Sequence, residues 1–323
     1  MTAAAGSPIV LVTGANGFVG RRLCEELARE GHRLRVAVRD PARAAGLPGE
    51  VVAVGELESA DWSRAVAGVD VVIHLAARVH VMRERAADPL AAFRASNVEG
   101  TERLAREAVA HQVRRLVYVS SVKVNGERTD ATPFTPDDAP APQDPYGISK
   151  HEAERMLRAI ADATDLEVTV VRPPLVYGPG VGGNFLRLLR LTRRAVPLPF
   201  GAVDNRRSMI YNGNLASALG ACAFHPAAAG KTYLVSDGED LSTAALIRRL
   251  ACALGVKARL VPVPRPILQL AGTVSGKAAE VDRLVGSLQV QSGGIRADLG
   301  WSPGYTVDEG LAETAAWFRG LSR

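Results

Sequence analysis

Ile9-Val10-Leu11-Val12-Thr13-Gly14-Ala15-Asn16-Gly17-Phe18-Val19-Gly20 lies near the start of the chain, and its reading decides the fold. Four successive aliphatic residues closed by Thr13-Gly14 predict a strand over 8–13 that is buried on both faces, as in a parallel sheet. From Phe18 the apolar spacing becomes helical through Val19, Leu23 and Leu27, and Gly31 ends the helix. Gly14, Gly17 and Gly20 therefore join a buried strand to a helix. Glycines here allow a tight turn with positive φ, a close backbone approach to a ligand, and close packing of helix on strand. The unpaired N–H groups of the helix start favour an anion. In this strand–turn–helix setting the pattern points to the pyrophosphate of a dinucleotide.

Working outward, strands are predicted over 34–38, 69–75, 115–120 and 167–171, with helices over 97–111 and 146–163. Strands alternating with helices imply right-handed crossovers, hence an α/β fold with a doubly wound parallel (Rossmann) sheet. The alternation is regular to Arg172. Beyond it, prolines such as Pro173, Pro174, Pro197 and Pro264 divide the chain into short pieces. The expectation is a dinucleotide-binding domain over 1–178 and a smaller, mainly substrate-binding region over 179–323, with about 208–236 able to pack back on the first.

Composition narrows the function classes. At 47% hydrophobic and 23% charged residues, the chain has ample apolar surface for a core. The net charge is +5, but the 39 Lys and Arg are spread without a dense block. That reads as solvated surface, so no nucleic-acid partner is expected. No apolar run is long enough to cross a bilayer, and Met1–Ser7 is too short for a signal peptide. A cytoplasmic protein with no membrane partner is expected. Cys24, Cys222 and Cys252 form no CxxC pair and read as reduced core residues. No His, Cys or Asp cluster has metal-ligand spacing, so no metal is expected.

Tyr146 and Lys150 are four residues apart at a predicted helix start, so they share a face. Ser121 follows the strand Leu116-Val117-Tyr118-Val119-Ser120. Strand C-terminal ends and helix starts meet at the ligand crevice of a parallel sheet. The three side chains can therefore converge on a substrate as a catalytic set. A phenol can give a proton to a carbonyl as a hydride arrives, or take one from an alcohol as a hydride leaves. Lowering a phenol from a pKa of about 10 to about 7 requires roughly 4 kcal/mol. An ammonium about 4 Å away supplies on the order of 4 kcal/mol at an effective dielectric of 20. One lysine is thus about sufficient. Ser121 would hydrogen-bond the substrate oxygen.

The second strand ends Val36-Ala37-Val38-Arg39-Asp40, where NAD-preferring folds carry a carboxylate for the adenosine ribose. Arg39 would attract a 2′-phosphate, so NADP(H) is favoured, with NAD(H) as the alternative.

These residues resemble the extended short-chain dehydrogenase/reductase family, in its branch of nucleotide-sugar 4-epimerases, dehydratases and 4-keto-reductases. The matching pieces are Thr13 to Gly20, His74-Leu75-Ala76-Ala77, Asn97-Val98-Glu99-Gly100-Thr101, Ser120-Ser121, Tyr146-Gly147-Ile148-Ser149-Lys150 and Arg172-Pro173-Pro174-Leu175-Val176-Tyr177-Gly178-Pro179. The resemblance implies that Ser121, Tyr146 and Lys150 are catalytic. It implies cofactor contacts from Gly14, Asn16, Gly17, Phe18, Val19, Gly20, Arg39, Leu75, Ala76, Ala77, Asn97, Tyr146, Lys150 and Pro173. Asn97 is also expected to stabilise the active-site architecture. On the substrate side it implies Asn184, Leu198, Arg207 and Arg283, the arginines toward a diphosphate, with Ser121, Lys123, His80 and Arg83 toward the sugar. A homodimer through the helices over 97–111 and 146–163 is implied too.

Departures from the family pattern guide the reaction. Dehydratases carry Asp-Glu directly after the serine; here Val122-Lys123 stands there, which argues against water elimination. Several epimerases carry Asn at the position of Leu175 and an acid at that of Arg39. The first expectation is therefore an NAD(P)H-dependent reductase of a UDP-4-keto-sugar in a surface-polysaccharide pathway. The alternative is a UDP-hexose or UDP-N-acetylhexosamine 4-epimerase with tightly bound NAD. A non-catalytic NADP(H)-binding regulator is a third reading, disfavoured because Ser121, Tyr146 and Lys150 are all kept.

Overall fold

A computed structural model describes residues 8–79 and 88–321. Its strands in chain order are β1 (Ile9–Thr13), β2 (Arg33–Val38), β3 (Glu50–Ala53), β4 (Val71–His74), β5 (Arg115–Val119), β6 (Glu167–Arg172), β7 (Leu175–Tyr177), β8 (Met209–Tyr211) and β9 (Thr232–Leu234). Seven of them form one parallel sheet in the order β3-β2-β1-β4-β5-β6-β9, while β7 and β8 pair separately. The doubly wound α/β expectation is therefore correct. The order reverses beside β1, placing the crevice at the C-terminal ends of β1 and β4.

Alternation along the strands builds two cores, one per face. Val10 and Val12 of β1 pack with Leu23 and Leu27 of the Phe18–Arg29 helix and with Leu215 and Leu219 of the Asn212–Phe224 helix. Leu11 points the other way, into a core with Trp62, Leu104 and Leu157. Burial on both faces explains why the strands read as continuous apolar runs.

Several details differ from the sequence expectations. β3 was not predicted; of its four residues only Val52 is buried, so an edge strand left little pattern. The helix expected over 97–111 begins earlier, at Pro89, where the Asp88 side chain accepts from Ala91 N–H. It then passes through a π-turn at Ala95–Glu99 before the Gly100–Ala110 helix. Cys24 and Cys222 are buried as expected, but Cys252 is exposed. The Thr243–Leu254 helix buries its Leu246, Leu250 and Leu254 face instead.

Residues 208–236 supply β8, the Asn212–Phe224 helix against the Phe18–Arg29 helix, and β9 at the sheet edge. A further core around Tyr177, Phe185, Leu250 and Leu311 joins this part to the C-terminal helices.

Candidate active site

The glycine loop has the shape a pyrophosphate needs. Gly14 has φ +67°, and a Cβ there would lie 2.8 Å from the Ala76 nitrogen. A Cβ on Gly20 would lie 2.2 Å from the Gly14 carbonyl oxygen, so only glycine lets the helix sit this close to β1. Among the described residues no side chain caps the start of the Phe18–Arg29 helix. Its first N–H groups are left to an anion. Ala76 N–H donates to the Thr13 hydroxyl at 3.1 Å, which holds the Leu75-Ala76-Ala77 stretch beside the loop. These residues fit a bound dinucleotide. Asn16, Phe18 and Val19 are partly exposed along the same turn.

Arg39 sits at the end of β2 as expected, but it is engaged. Its Nη1 lies 3.1 Å from Oε2 of Glu56, with both side chains more than half exposed. The Asp40 carboxylate accepts from Ala42 N–H at 3.0 Å and begins the next turn.

Lys150 and Tyr146 come together at the end of β5, the strand that Ser121 follows. The Pro145–Ala163 helix starts where Asp144 caps it, its Oδ1 accepting from Gly147 N–H at 2.7 Å. One turn on, Lys150 is 2% exposed and its ammonium donates to the Val119 carbonyl at 2.7 Å. Lys150 Nζ lies 4.4 Å from the Tyr118 ring centre and 5.9 Å from that of Tyr146. Ser121 follows two residues after Val119, and its hydroxyl accepts from Lys123 N–H at 3.2 Å. Pro173 is buried close by, its carbonyl accepting from Val122 N–H at 3.0 Å.

The protein's own field favours the neutral forms of the pair. Burial, then the Asp144 carboxylate, pushes the Tyr146 phenol above its usual range. Burial pulls Lys150 down to about 7, with Glu154 opposing. Tyr146 thus keeps its proton until a positive charge arrives beside it.

Behind this pair runs a chain of hydrogen bonds that fixes it. Thr13 and Thr101 hydroxyls lie 2.7 and 3.0 Å from the two ring nitrogens of buried His74. The Thr101 hydroxyl donates to the Asn97 carbonyl at 2.7 Å. The Asn97 amide donates to the Arg78 carbonyl and to Ser149 Oγ, both at 3.0 Å, and its oxygen accepts from Arg78 N–H. Ser149 in turn donates to the Tyr146 carbonyl. Asn97 is 1% exposed and its side chain is spent on these partners. These bonds fit the architectural role expected of it. The π-turn carries it inward.

The substrate-side expectations divide. Arg207 and Arg283 come together: Arg207 Nη1 donates to the Arg283 carbonyl at 2.8 Å and to that of Gly286 at 3.1 Å. Burial, with the Arg283 charge, pulls Arg207 below its usual range, and Glu127 opposes. Two guanidinium groups held near each other suit a diphosphate. Asn184 is exposed in the first turn of the Gly183–Arg193 helix. Leu198 is 6% exposed and bridges to Leu260, so its side chain packs inside. Lys123 is bound by carboxylates, pairing with Asp144 and, at 3.0 Å, with Glu127; it braces the helix start, where a sugar contact was expected. His80 and Arg83 lie outside the described residues.

The sequence reading missed Glu154 and Arg172. They form a buried pair behind Lys150, with Arg172 Nη1 also donating to Asn125 Oδ1 at 3.0 Å. The signal was there: Glu154 is four residues beyond Lys150 on the same predicted helix face.

Comparison with known proteins agrees with this geometry. The NAD dependent epimerase/dehydratase family matches residues 10–236. The chain is 42% identical to UDP-glucose 4-epimerase of Vibrio cholerae, over 96% of this chain and 95% of that one. It is 30% identical to 2-alkyl-3-oxoalkanoate reductase of Stenotrophomonas maltophilia, over 95% and 98%. Among solved structures, MoeE5 in complex with UDP-glucose and NAD superposes with a TM-score of 0.76 at 27% identity, covering 97% of this chain and 99% of that one. With its glycine loop, its Ser121–Tyr146–Lys150 set and this similarity over nearly its whole length, the chain belongs to the NAD dependent epimerase/dehydratase family.

Proposed function

We propose that this protein is a 4-epimerase of a UDP-hexose, working with NAD. The observation that carries the reading is the 42% identity, over nearly both whole chains, to a UDP-glucose 4-epimerase. The UDP-glucose and NAD bound by MoeE5 support the same substrate and cofactor classes.

Reduction of a UDP-4-keto-sugar with NADPH, the first expectation from the sequence, leaned on Arg39. Glu56 already pairs with that guanidinium, so it would compete with a 2′-phosphate there. The relatives favour epimerisation over reduction.

In the proposed mechanism the Gly14–Gly20 loop and the start of the Phe18–Arg29 helix hold the pyrophosphate, with Ala76, Ala77 and Lys150 toward the nicotinamide end. When bound, NAD would supply the hydride acceptor, and then the donor, for the sugar C4. Tyr146 Oη takes the proton from the sugar O4 and gives it back after rotation. The Lys150 charge lowers the cost of the phenolate, and Ser121 Oγ steadies the oxygen at C4. Arg207 and Arg283 anchor the diphosphate while the 4-keto sugar turns over in the pocket. A homodimer through the helices over 97–111 and 146–163 belongs to the same proposal, and light scattering on the purified protein tests it.

The enzymatic test is incubation with UDP-glucose and UDP-galactose. Interconversion without net change in nicotinamide absorbance, abolished in Tyr146→Phe, is expected. Stoichiometric NADPH consumption with a UDP-4-keto-sugar, and no interconversion, overturns the reading in favour of a reductase.

A further inference from the structure

Residues 183–206 and 256–285 together carry ten Lys or Arg and three Asp or Glu, a net charge of +7 in a chain whose total is +5. The rest of the molecule is therefore slightly acidic. Far apart in sequence, the two segments fold onto each other. Leu198 N–H donates to the Arg259 carbonyl at 2.8 Å, and Val261 N–H to the Leu198 carbonyl at 2.9 Å. Phe200 and Val203 pack with Leu268 and Val285. Arg187 lies 3.7 Å from Glu280.

The same two segments also hold most of the exposed apolar side chains. Of the nine large apolar side chains that are exposed among the described residues, five lie in these two segments. Three are spaced i, i+3, i+7 on the Arg265–Val274 helix: Ile267, Leu270 and Val274, at 56%, 65% and 82% exposure. The inward face of that helix is already filled. Leu268 is buried, and a Cβ on Gly272 would lie 2.9 Å from Val281 of the neighbouring Ala278–Val285 helix. The outward stripe thus has no place in the core. On the Gly183–Arg193 helix and its cap residue, Arg187, Arg190 and Arg194 repeat the same spacing and are exposed.

We propose that this face docks on an anionic bilayer surface. Ile267, Leu270 and Val274 enter the boundary between headgroups and acyl chains, and the arginines with Lys277 engage lipid phosphates. An apolar stripe flanked by basic residues is the chemistry of a peripheral membrane contact, which needs no spanning helix. Among the described residues no helix is long and apolar enough to cross a membrane. A second copy of this chain fits poorly, because a two-fold contact would set +7 against +7. A nucleic acid fits poorly as well. The only aromatic residues in the two segments are Phe185, which is buried, and Phe200, which is partly buried, so no ring is offered for stacking bases.

The test is flotation of the full chain with vesicles of phosphatidylcholine plus phosphatidylglycerol, against vesicles of phosphatidylcholine alone. Binding to the mixed vesicles only, released in about 1 M salt, is expected. The triple variant I267S/L270S/V274S and, separately, R187E/R190E/R194E should each lower the bound fraction by more than about tenfold. Their melting transitions should stay close to the parent's, since all six side chains are exposed and the ion pair lost, Arg187 with Glu280, is an exposed one. Absence of binding to the mixed vesicles overturns the proposal, as does binding that the serine variant retains. So does a concentration-dependent dimer abolished by the serine substitutions, or retention of an RNA or DNA oligonucleotide, when vesicles are not bound.

Discussion

Arg172 Nη2 lies 2.6 Å from Glu154 Oε2, and the two side chains are 1% and 0% exposed. Glu154 also accepts from the Ser120 hydroxyl at 2.5 Å. One carboxylate therefore ties the ends of β5 and β6 to the helix that carries Tyr146 and Lys150. Removing one member of such a pair leaves an uncompensated buried charge, which costs about 3–5 kcal/mol. Glu154→Ala or Arg172→Ala should lower stability by that amount in urea unfolding. The double variant Glu154→Leu/Arg172→Met should lose less than either single. A double variant as unstable as the sum of the singles would mean that the two residues act independently.

Asp144 caps the helix that carries Tyr146 and Lys150 and is itself gripped by Lys123. Asp144→Ala should cost about 0.5–2 kcal/mol through the lost cap. It should also lower kcat, because Tyr146 stands two residues into the helix. Lys123→Met should lower kcat while leaving the KM for the UDP-sugar near its parent value. A raised KM with unchanged kcat would return Lys123 to the substrate contact expected from the sequence.

Glu56 competes with any 2′-phosphate for Arg39. Exposed ion pairs contribute about 0–1 kcal/mol, so the effect is modest. Glu56→Gln should tighten NADP(H) binding a few-fold and leave NAD(H) binding unchanged, as read by fluorescence titration. Equal changes for both cofactors would show that Arg39 does not face the adenosine ribose.

Burial, then the Lys150 charge, pulls His74 down to about 3. The unfolded chain binds a proton near pH 6.5 that the folded protein refuses until about pH 3. The stability associated with neutral His74 is therefore complete above pH 6.5 and is lost as the pH falls toward 3. Thermal melts of the parent across this window should slope more steeply than those of His74→Asn. Parallel slopes would remove His74 from the acid response.

Much of the site was legible before any coordinates. Gly14, Gly17 and Gly20 could be placed because a strand, a tight turn and a helix leave a strong local pattern. Tyr146 and Lys150 could be paired because helix geometry puts residues four apart on one face. Arg207 and Arg283 were named separately from resemblance; the structure brings them together through a backbone carbonyl. The hydrogen-bond partners of Lys123 and Asn97 could not be read from the sequence, because Asp144 and Ser149 lie 21 and 52 positions away. Edge strand β3 and the late strand β9 were hidden for a related reason. A short strand is defined by its neighbour, and β9 joins β6 only after the chain has passed through the whole β7–β8 region.

By itself the sequence determined the doubly wound α/β class, and it pointed to a dinucleotide loop and to Ser121, Tyr146 and Lys150 as a set, since each follows from short-range periodicity and spacing. Tertiary structure alone decided which charges face which. It set Glu56 against Arg39, buried Glu154 on Arg172, and paired Lys123 with Asp144 at the helix cap. It also packed together two basic segments that lie far apart along the chain. Electrostatic and packing energies depend on distance through space, and in a folded chain that distance has little to do with position in the sequence.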